Sequence, residues 1–470
     1  MTCGCRHTGM AAVILRRAVF RLNRLIKPDV TILLGDLIDN GNGPQAEEDL
    51  KILHEQIKLL QSPVIALPGN HDGDTDHFYE VFPRPPAILE LGNVRFVNNI
   101  DEERPGYNSF RDTAGLELLR QARQNWSGQI VSLQHVPVLP PGTSACPYHY
   151  ENNQEILREF RNQHVTLTLS AHYHPGVPAI TQDNTTFAVA PALCEEPLNL
   201  LLVELDNKGC TSTLHPLQMP QELQLSDTHI HTHFAYCQEN METARLFNTA
   251  KLFGIKDFCL TEHSGHLYFS REHYSAAQTD LLPMNPENRR LEDYFEEMFE
   301  AGQPPQRIGL EIDCRADGSM LLDQAGWNRA GFRIGAIHAL PSLCHPNPQI
   351  QKVADEFLAL NAAFLKHGFD SLAHPFRVFR RANFPIPESL YQPMVHLLKE
   401  NHTAAEINFH TNEPPIEFFQ LCLKAGVKIT FGSDAHNLYE IGDFALHLDF
   451  LKRCGFNGDL TDILLQPTHK

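Results

Sequence analysis

The chain has 470 residues, 57 acidic against 38 basic, and a net charge of −19, which excludes broad electrostatic binding of long nucleic acid but not a short phosphorylated substrate. Its length predicts two domains, each with its own core. No apolar run approaches the roughly 18 residues of a membrane span, and eleven scattered cysteines without a CxxC pair predict a reducing, cytoplasmic setting.

In chain order, Met10–Lys27 predicts an amphipathic helix, with Val13, Ile14, Ala18, Leu22, Leu25 and Ile26 at helical spacing. Six basic and no acidic residues among the first 28 also suit a transit peptide; the direct run into a motif-bearing strand favours the helix. Val30–Gly35 predicts a strand, Gln45–Leu60 a helix and Val64–Leu67 a strand. After His164 the chain turns strand-rich, ending in Leu198–Asp206 and Thr211–Leu217. His215–Gln224 holds two prolines and little periodicity. It predicts a linker, placing the domains at 1–217 and 225–470.

Polar clusters punctuate the N-terminal strands. VTILLGDLID carries Asp36 behind a glycine, and VIALPGNHD carries Asn70, His71 and Asp72. His135 follows the apolar Ile130–Leu133, and SAHYHPG carries His172 and His174. Glycine lets the backbone turn sharply, so that the next carboxylate or amide can face a metal. A lone GD or NH is unspecific; the ordered set GD, GNHD, H, HxH is specific.

This set resembles the calcineurin-like metallophosphoesterase family over about residues 1–217, closest to the branch that includes cyclic-nucleotide phosphodiesterases. The resemblance implies a four-layer αββα sandwich with a dinuclear site. Asp36 would bridge two metals, Asn70, His135 and His172 would complete one half-site, and His7 and His174 would serve the other. His71 would protonate the leaving alkoxide as general acid, held by Asp72. The chain departs from the family where Cys5 stands in place of an aspartate, in Cys5-Arg6-His7, and more mildly at Ala171-His172, where Gly-His is commoner.

The C-terminal half contains seven short apolar runs, each with a metal-type ligand at or near its end. They are LSDTHIH, KDFCLTEH, RIGLEIDC, FRIGAIHAL, SLAHP, AAEINFH and VKITFGSDAH, separated by helix-like stretches. Alternating β and α predicts a parallel sheet, and about 250 residues suit a closed barrel with chemistry at the C-terminal ends of its strands. Leu281–Gln306, rich in Pro, Asn and Glu, predicts an inserted loop and helix. His229 and His231 alternate along one strand and so share a face. With His263, Glu311, His338, His374, Asp434 and His436 they exceed the coordination of one ion and predict a cluster of two or three.

At DTHIHTHF, TEH, GLEID, AIHALP, LAHP and FGSDAH the chain resembles the PHP (polymerase and histidinol phosphatase) superfamily, with TEH similar to the histidinol-phosphate phosphatase branch. The resemblance implies a distorted (βα)7 barrel with a trinuclear site. One metal would take His229, His231, Glu311 and Asp434; a second would share Glu311 and add His338 and His374; the third would take His263 and His436. The third ion's remaining ligand would be Cys237, with His233 as an alternative. Arg315 and Arg377 are candidates for holding a phosphate, each equally suited to a structural ion pair.

The leading expectation is a bifunctional metal-dependent phosphoesterase, α/β throughout, using Mn, Zn or Fe and a metal-activated hydroxide on phosphodiesters, phosphomonoesters, or both in sequence. The substrate class is a small phosphorylated molecule, with nucleotides and cyclic diesters among the candidates. Two alternatives stand beside it: a PHP-type phosphatase whose N-terminal domain only binds, and an exonuclease on short oligonucleotides.

Overall fold

A computed structural model describes residues 6–206, 209–284 and 288–465. The chain divides into two compact units, Met1–Leu217 and Gln218–Lys470. The first contains strands β1 (Thr31–Leu33), β2 (Val64–Ala66), β3 (Ile88–Leu91), β4 (Val94–Asn98), β5 (Glu102–Arg104), β6 (Asn108–Phe110), β7 (Gln129–Leu133), β8 (Leu167–Ser170), β9 (Val177–Gln182), β10 (Thr185–Val189), β11 (Asn199–Asp206) and β12 (Gly209–Pro216). Its helices are α1 (Ala11–Arg21), α2 (Ala46–Ile57), α3 (Thr75–Val81), α4 (Thr113–Arg123) and α5 (Asn153–Asn162).

A six-stranded sheet of order β3-β4-β7-β8-β10-β9 forms the centre of this unit. Its strands alternate their faces, as the pleat requires. Val97, Ile130 and Phe187 pack against Leu116 and Leu119 of α4 and Ile156 and Phe160 of α5. Phe96, Val131, Leu133 and Ala188 point the other way, onto Leu34, Ile65 and Leu67 and the half-buried Leu201, Val203 and Leu205 of β11. The parallel pair β1-β2 and the hairpin β11-β12 therefore form a second sheet layer. Beyond it, Ala66 packs on Leu50 and Ile57 of α2 and on Phe78, with Leu15 of α1 alongside. The result is the four-layer αββα sandwich.

The helix expected over Met10–Lys27 is α-helical only from Ala11 to Arg21, then forms a π turn over Leu22–Ile26. Lys27 is left-handed at φ 53°, and Pro28 cannot continue a helix. Two of the N-terminal basic residues are structural, since Arg17 Nε and Arg21 Nη2 both donate to the carbonyl of Leu217.

The second unit carries seven parallel strands in chain order: β13 (Ser226–Ile230), β14 (Asp257–His263), β15 (Ile308–Asp313), β16 (Arg333–Ala336), β17 (Ser371–Leu372), β18 (Ala404–Ile407) and β19 (Ile429–Phe431). Helices between and after them include α6 (Thr243–Leu252), α7 (Ser264–Tyr268), α8 (Tyr274–Thr279), α9 (Arg290–Glu300), α10 (Gln324–Arg329), α11 (Ile350–Phe364), α12 (Arg377–Arg381), α13 (Tyr391–Glu400), α14 (Ile416–Ala425), α15 (Ala445–Arg453) and α16 (Leu460–Ile463). The sheet nearly closes where the residues after β19 return to β13. Asp434 N donates to His229 O at 2.7 Å, and His231 N to Ala435 O at 3.1 Å. This is the distorted (βα)7 barrel. Among the described residues no helix is long and apolar enough to cross a membrane.

Candidate metal centres

In the barrel, short strands deliver ligand-type side chains to one end. His229 lies in β13 and His231 just past its end, His263 ends β14, and Glu311 and Asp313 share a face of β15. His338, His374 and Asp434 follow β16, β17 and β19. His374 (φ 30°) and Asp434 (φ 53°) lie in the left-handed region, a strain that packing must hold in place at a site.

Glu311, fully buried, lies at the centre. Its Oε1 is 2.9 Å from His374 Nε2 and 3.2 Å from His338 Nε2. Its Oε2 has His263 Nδ1 at 2.5 Å, His229 Nε2 at 3.6 Å and His231 Nε2 at 3.7 Å, yet accepts no hydrogen bond of proper geometry. Asp434 Oδ1 is 3.0 Å from His231 Nε2. Carboxylates fix the far nitrogen of three rings: His229 Nδ1 on Glu406 (2.7 Å), His231 Nδ1 on Glu262 (3.3 Å) and His338 Nδ1 on Asp313 (2.6 Å). An ionised carboxylate only accepts, so each Nδ1 carries a proton and each Nε2 faces inward, able to offer a lone pair to an ion once its own proton is lost. His229 Nε2 and His231 Nε2 come within 3.1 Å of each other. Lone pairs around an orphaned buried carboxylate oxygen fit a cation and little else.

The carboxylates draw protons onto some of these rings, protons that a cation would displace. Burial pushes the Glu311 carboxyl up, but His338, His263 and His229 outweigh it and hold the group well below the ordinary carboxylate range. Burial also lowers His231 and His338, yet hydrogen bonds and charges from neighbouring carboxylates raise both to about 9. Burial, joined by Arg377, depresses His374, and burial with His231 depresses His263 and His436, leaving these rings neutral as ligands must be.

His231, His263 and His436 form one potential three-donor group, His229, His231 and Asp434 another, and His263, Glu311 and His338 a third. Cys237 Sγ comes within 3.7 Å of His263 Nε2 and groups with His263 and His266. His233 turns away, its Nε2 3.4 Å from Glu297 on α9. Arg377 enters the cluster, with Nη1 2.5 Å from Asp434 and Nη2 3.1 Å from His338. Arg315 does not; its guanidinium donates to the carbonyl of Leu282. Sequence reasoning overlooked Glu262, Asp313 and Glu406, although the first two stand inside the quoted TEH and GLEID. It also overlooked Asp227 of DTHIH, which anchors Ser433 N and Gly442 N (3.0 and 2.8 Å) and so pins the closing segment.

The N-terminal unit builds a smaller constellation. His135 Nε2 lies 3.2 Å from Asp36 Oδ2, 3.2 Å from Asn70 Oδ1 and 2.9 Å from His172 Nδ1. His135 Nδ1 donates to Leu34 O and His172 Nε2 to Tyr107 O, which leaves His135 Nε2 and His172 Nδ1 as the nitrogens that could face an ion. Four potential ligand atoms converge here, and this half-site too fits a cation. Burial raises the Asp36 carboxyl, but His135 and His172 overcome it and hold it far below the ordinary range. Gly69 permits the approach, since a Cβ there would strike Asp36 Oδ1 and the His135 ring. A cavity of about 440 Å³ opens beside Asn70 and His135, bordered by Tyr107 and Arg104.

Other expected members are placed differently. Asp72 does not hold the His71 ring. Its carboxylate accepts from Asp36 N, Leu37 N and Gly69 N at 2.7 Å each and from Ile38 N at 3.2 Å, clasping the loop that presents Asp36. His71 Nδ1 instead donates to Asp39 O at 2.9 Å. His174 and His7 stand outside the Asp36–His135–His172 group. His174 Nδ1 pairs with Glu195 at 2.6 Å, and His7 Nε2 with Glu196 at 3.1 Å. Cys5 lies outside the described residues.

Two clusters of imidazole and carboxylate donors, one per unit, are thus suited to holding metal ions. Residues 10–176 match the calcineurin-like phosphoesterase family and residues 227–410 match the PHP domain. The chain thus joins a calcineurin-like phosphoesterase domain to a PHP domain. It is 27% identical over 224 residues to a "Probable phosphatase" of Caldicellulosiruptor saccharolyticus, covering 45% of this chain and 79% of that one. It is 41% identical over 59 residues to a "Probable glycerophosphodiester phosphodiesterase GpdQ" of Arcobacter nitrofigilis, 12% of this chain; that match spans only 20% of the relative's length. A dimetal phosphatase from Danio rerio superposes at 15% identity and TM-score 0.36, covering 45% of this chain and 90% of that one.

Proposed function

We propose that the two domains act on different phosphoesters: the N-terminal domain opens a small phosphodiester and the barrel removes a phosphate monoester, the first supplying the second. The observation that carries this reading is the pair of separate donor clusters, Asp36–His135–His172 and the Glu311-centred group, in different units. One matched relative is named a phosphodiesterase and another a phosphatase, which supports the division.

Divalent Mn, Zn or Fe held by these residues would supply Lewis acidity and an activated water. In the N-terminal domain, Asp36, Asn70, His135 and His172 would hold the ion. His71, its Nδ1 proton committed to Asp39 O, has Nε2 left to protonate the departing alkoxide. In the barrel, His229, His231, His263, Glu311, His338, His374, Asp434 and His436 would share the ions, with Cys237 beside His263. Arg377, its Nε without a hydrogen-bond partner and its side chain only 4% exposed, would hold a phosphoryl oxygen.

The test uses the full-length protein with Mn²⁺, bis-p-nitrophenyl phosphate as the diester and p-nitrophenyl phosphate as the monoester. His135→Ala should abolish diester turnover and spare the monoester; His374→Ala should do the reverse. Loss of both activities in one variant would show a single centre, and a wild type that hydrolyses monoesters but no diester, linear or cyclic, would sink the sequential scheme. A second reading, in which the N-terminal domain only binds, draws support from the withdrawal of His7 and His174 onto Glu196 and Glu195. It expects His135→Ala and Asn70→Ala to leave every turnover unchanged.

A further inference from the structure

We infer that the N-terminal centre is mononuclear and that the Arg6 guanidinium supplies the second positive charge to the phosphoryl group; this rests on the phosphodiesterase reading above. The two sides of the site differ in kind. On the His135 side, the ligand-type atoms of Asp36, Asn70, His135 and His172 converge. On the His174 side, a cation made of the chain itself is already present. Arg6 Nη2 lies 3.2 Å from His174 Nδ1, Arg6 Nε donates to Glu195 Oε1 at 3.1 Å, and that same oxygen accepts from His174 Nδ1 at 2.6 Å. A guanidinium offers five N–H donors and no lone pair, so it competes with a divalent ion for Glu195 and repels one at His174.

The carboxylate expected to bridge two ions is also committed on one side. Asp36 Oδ2 faces His135 and His172, but Asp36 Oδ1 accepts from His71 N at 3.0 Å. His7 is held by Glu196. Among the described residues, the only three-donor group of the N-terminal unit is Asp36–His135–His172. Arg6 nevertheless stays close to the proposed proton donor. Its Nη1 is 3.7 Å from Asp39 Oδ1, and the carbonyl of Asp39 holds His71. Its side chain is 40% exposed, so a planar, permanently charged group can reach an anionic ester from solvent.

The full-length protein is stripped of metal, equilibrated with MnCl₂, desalted and assayed for Mn per chain. Asn70→Ala and His135→Ala should each lower the content by about one equivalent, with far-UV circular dichroism confirming the fold. His174→Ala and Arg6→Ala should leave the content at the wild-type value, while Arg6→Ala lowers diester kcat/KM roughly 100-fold, the scale for loss of one positioned charge. Loss of an equivalent in His174→Ala, loss of two in His135→Ala, or loss of none in both His135→Ala and Asn70→Ala would overturn the inference. So would full diester activity in Arg6→Ala. The wider reading fails separately, if wild type shows the expected Mn content but turns over no diester.

Discussion

Asp72 and Gly432 show how single positions hold the two sites. Asp72 collects four backbone N–H groups from two loops, and burial pushes its carboxyl up to about 6 against their pull. Asp72→Ala strands those donors, and each unsatisfied one costs about 1 kcal/mol or more. We expect the unit to lose about 3 kcal/mol in urea unfolding and the Asp36 loop to lose its metal affinity. At Gly432 a Cβ would collide with Glu406 Oε1, the atom that accepts from His229 Nδ1. Gly432→Ala should therefore displace Glu406, release the His229 ring from its inward orientation and lower the barrel's metal content, read by elemental analysis of the purified variant.

At the scale of elements, α4 and α5 cover one face of the central sheet, and Phe160 of α5 is 1% exposed between them. Phe160→Ala removes that contact and leaves a cavity, so a loss of about 3–5 kcal/mol is expected in chemical denaturation. The same two helices share an ion pair, Arg120 Nη2 to Glu159 Oε1 at 3.0 Å, with the Glu159 side chain 6% exposed. The Arg120 hydrogen bond holds the Glu159 carboxyl below its ordinary 4.5 against the effect of burial. A depressed carboxyl stabilises the fold above its unfolded value, and the gain is lost as pH falls through the lowered value. The wild type should thus unfold at higher urea than Glu159→Gln at pH 7, and the gap should shrink as pH falls below 4.5.

At the scale of the molecule, the barrel gathers Glu311 and Asp434, both fully buried, among imidazole nitrogens that converge on them. Ligand that binds only the folded state raises stability by mass action. Chelation by EDTA should lower the melting midpoint of the wild type, and the shift should be smaller in Glu311→Ala, since Glu311 touches both sides of the cluster. Equal shifts in the two proteins would place the stabilising ions elsewhere.

The alternation of apolar runs and helices pointed to a parallel barrel in the C-terminal half, the resemblance of the ordered GD, GNHD, H, HxH set implied the sandwich, and the ligands near the run ends named the candidate metal residues. These depend on local periodicity and on the spacing of short motifs, which a linear chain displays. The partners of those residues were not legible, because they come from distant segments: Glu406 is 177 residues from His229, and Glu195 is 189 residues from Arg6. The same holds for Asp72, whose GNHD motif suggested a partner for His71 while its four hydrogen bonds go to the backbone of another loop and of Gly69. Which nitrogen of each imidazole faces inward, and on which side of Asp36 a cation has room, follows from acceptors that only the folded chain brings into contact.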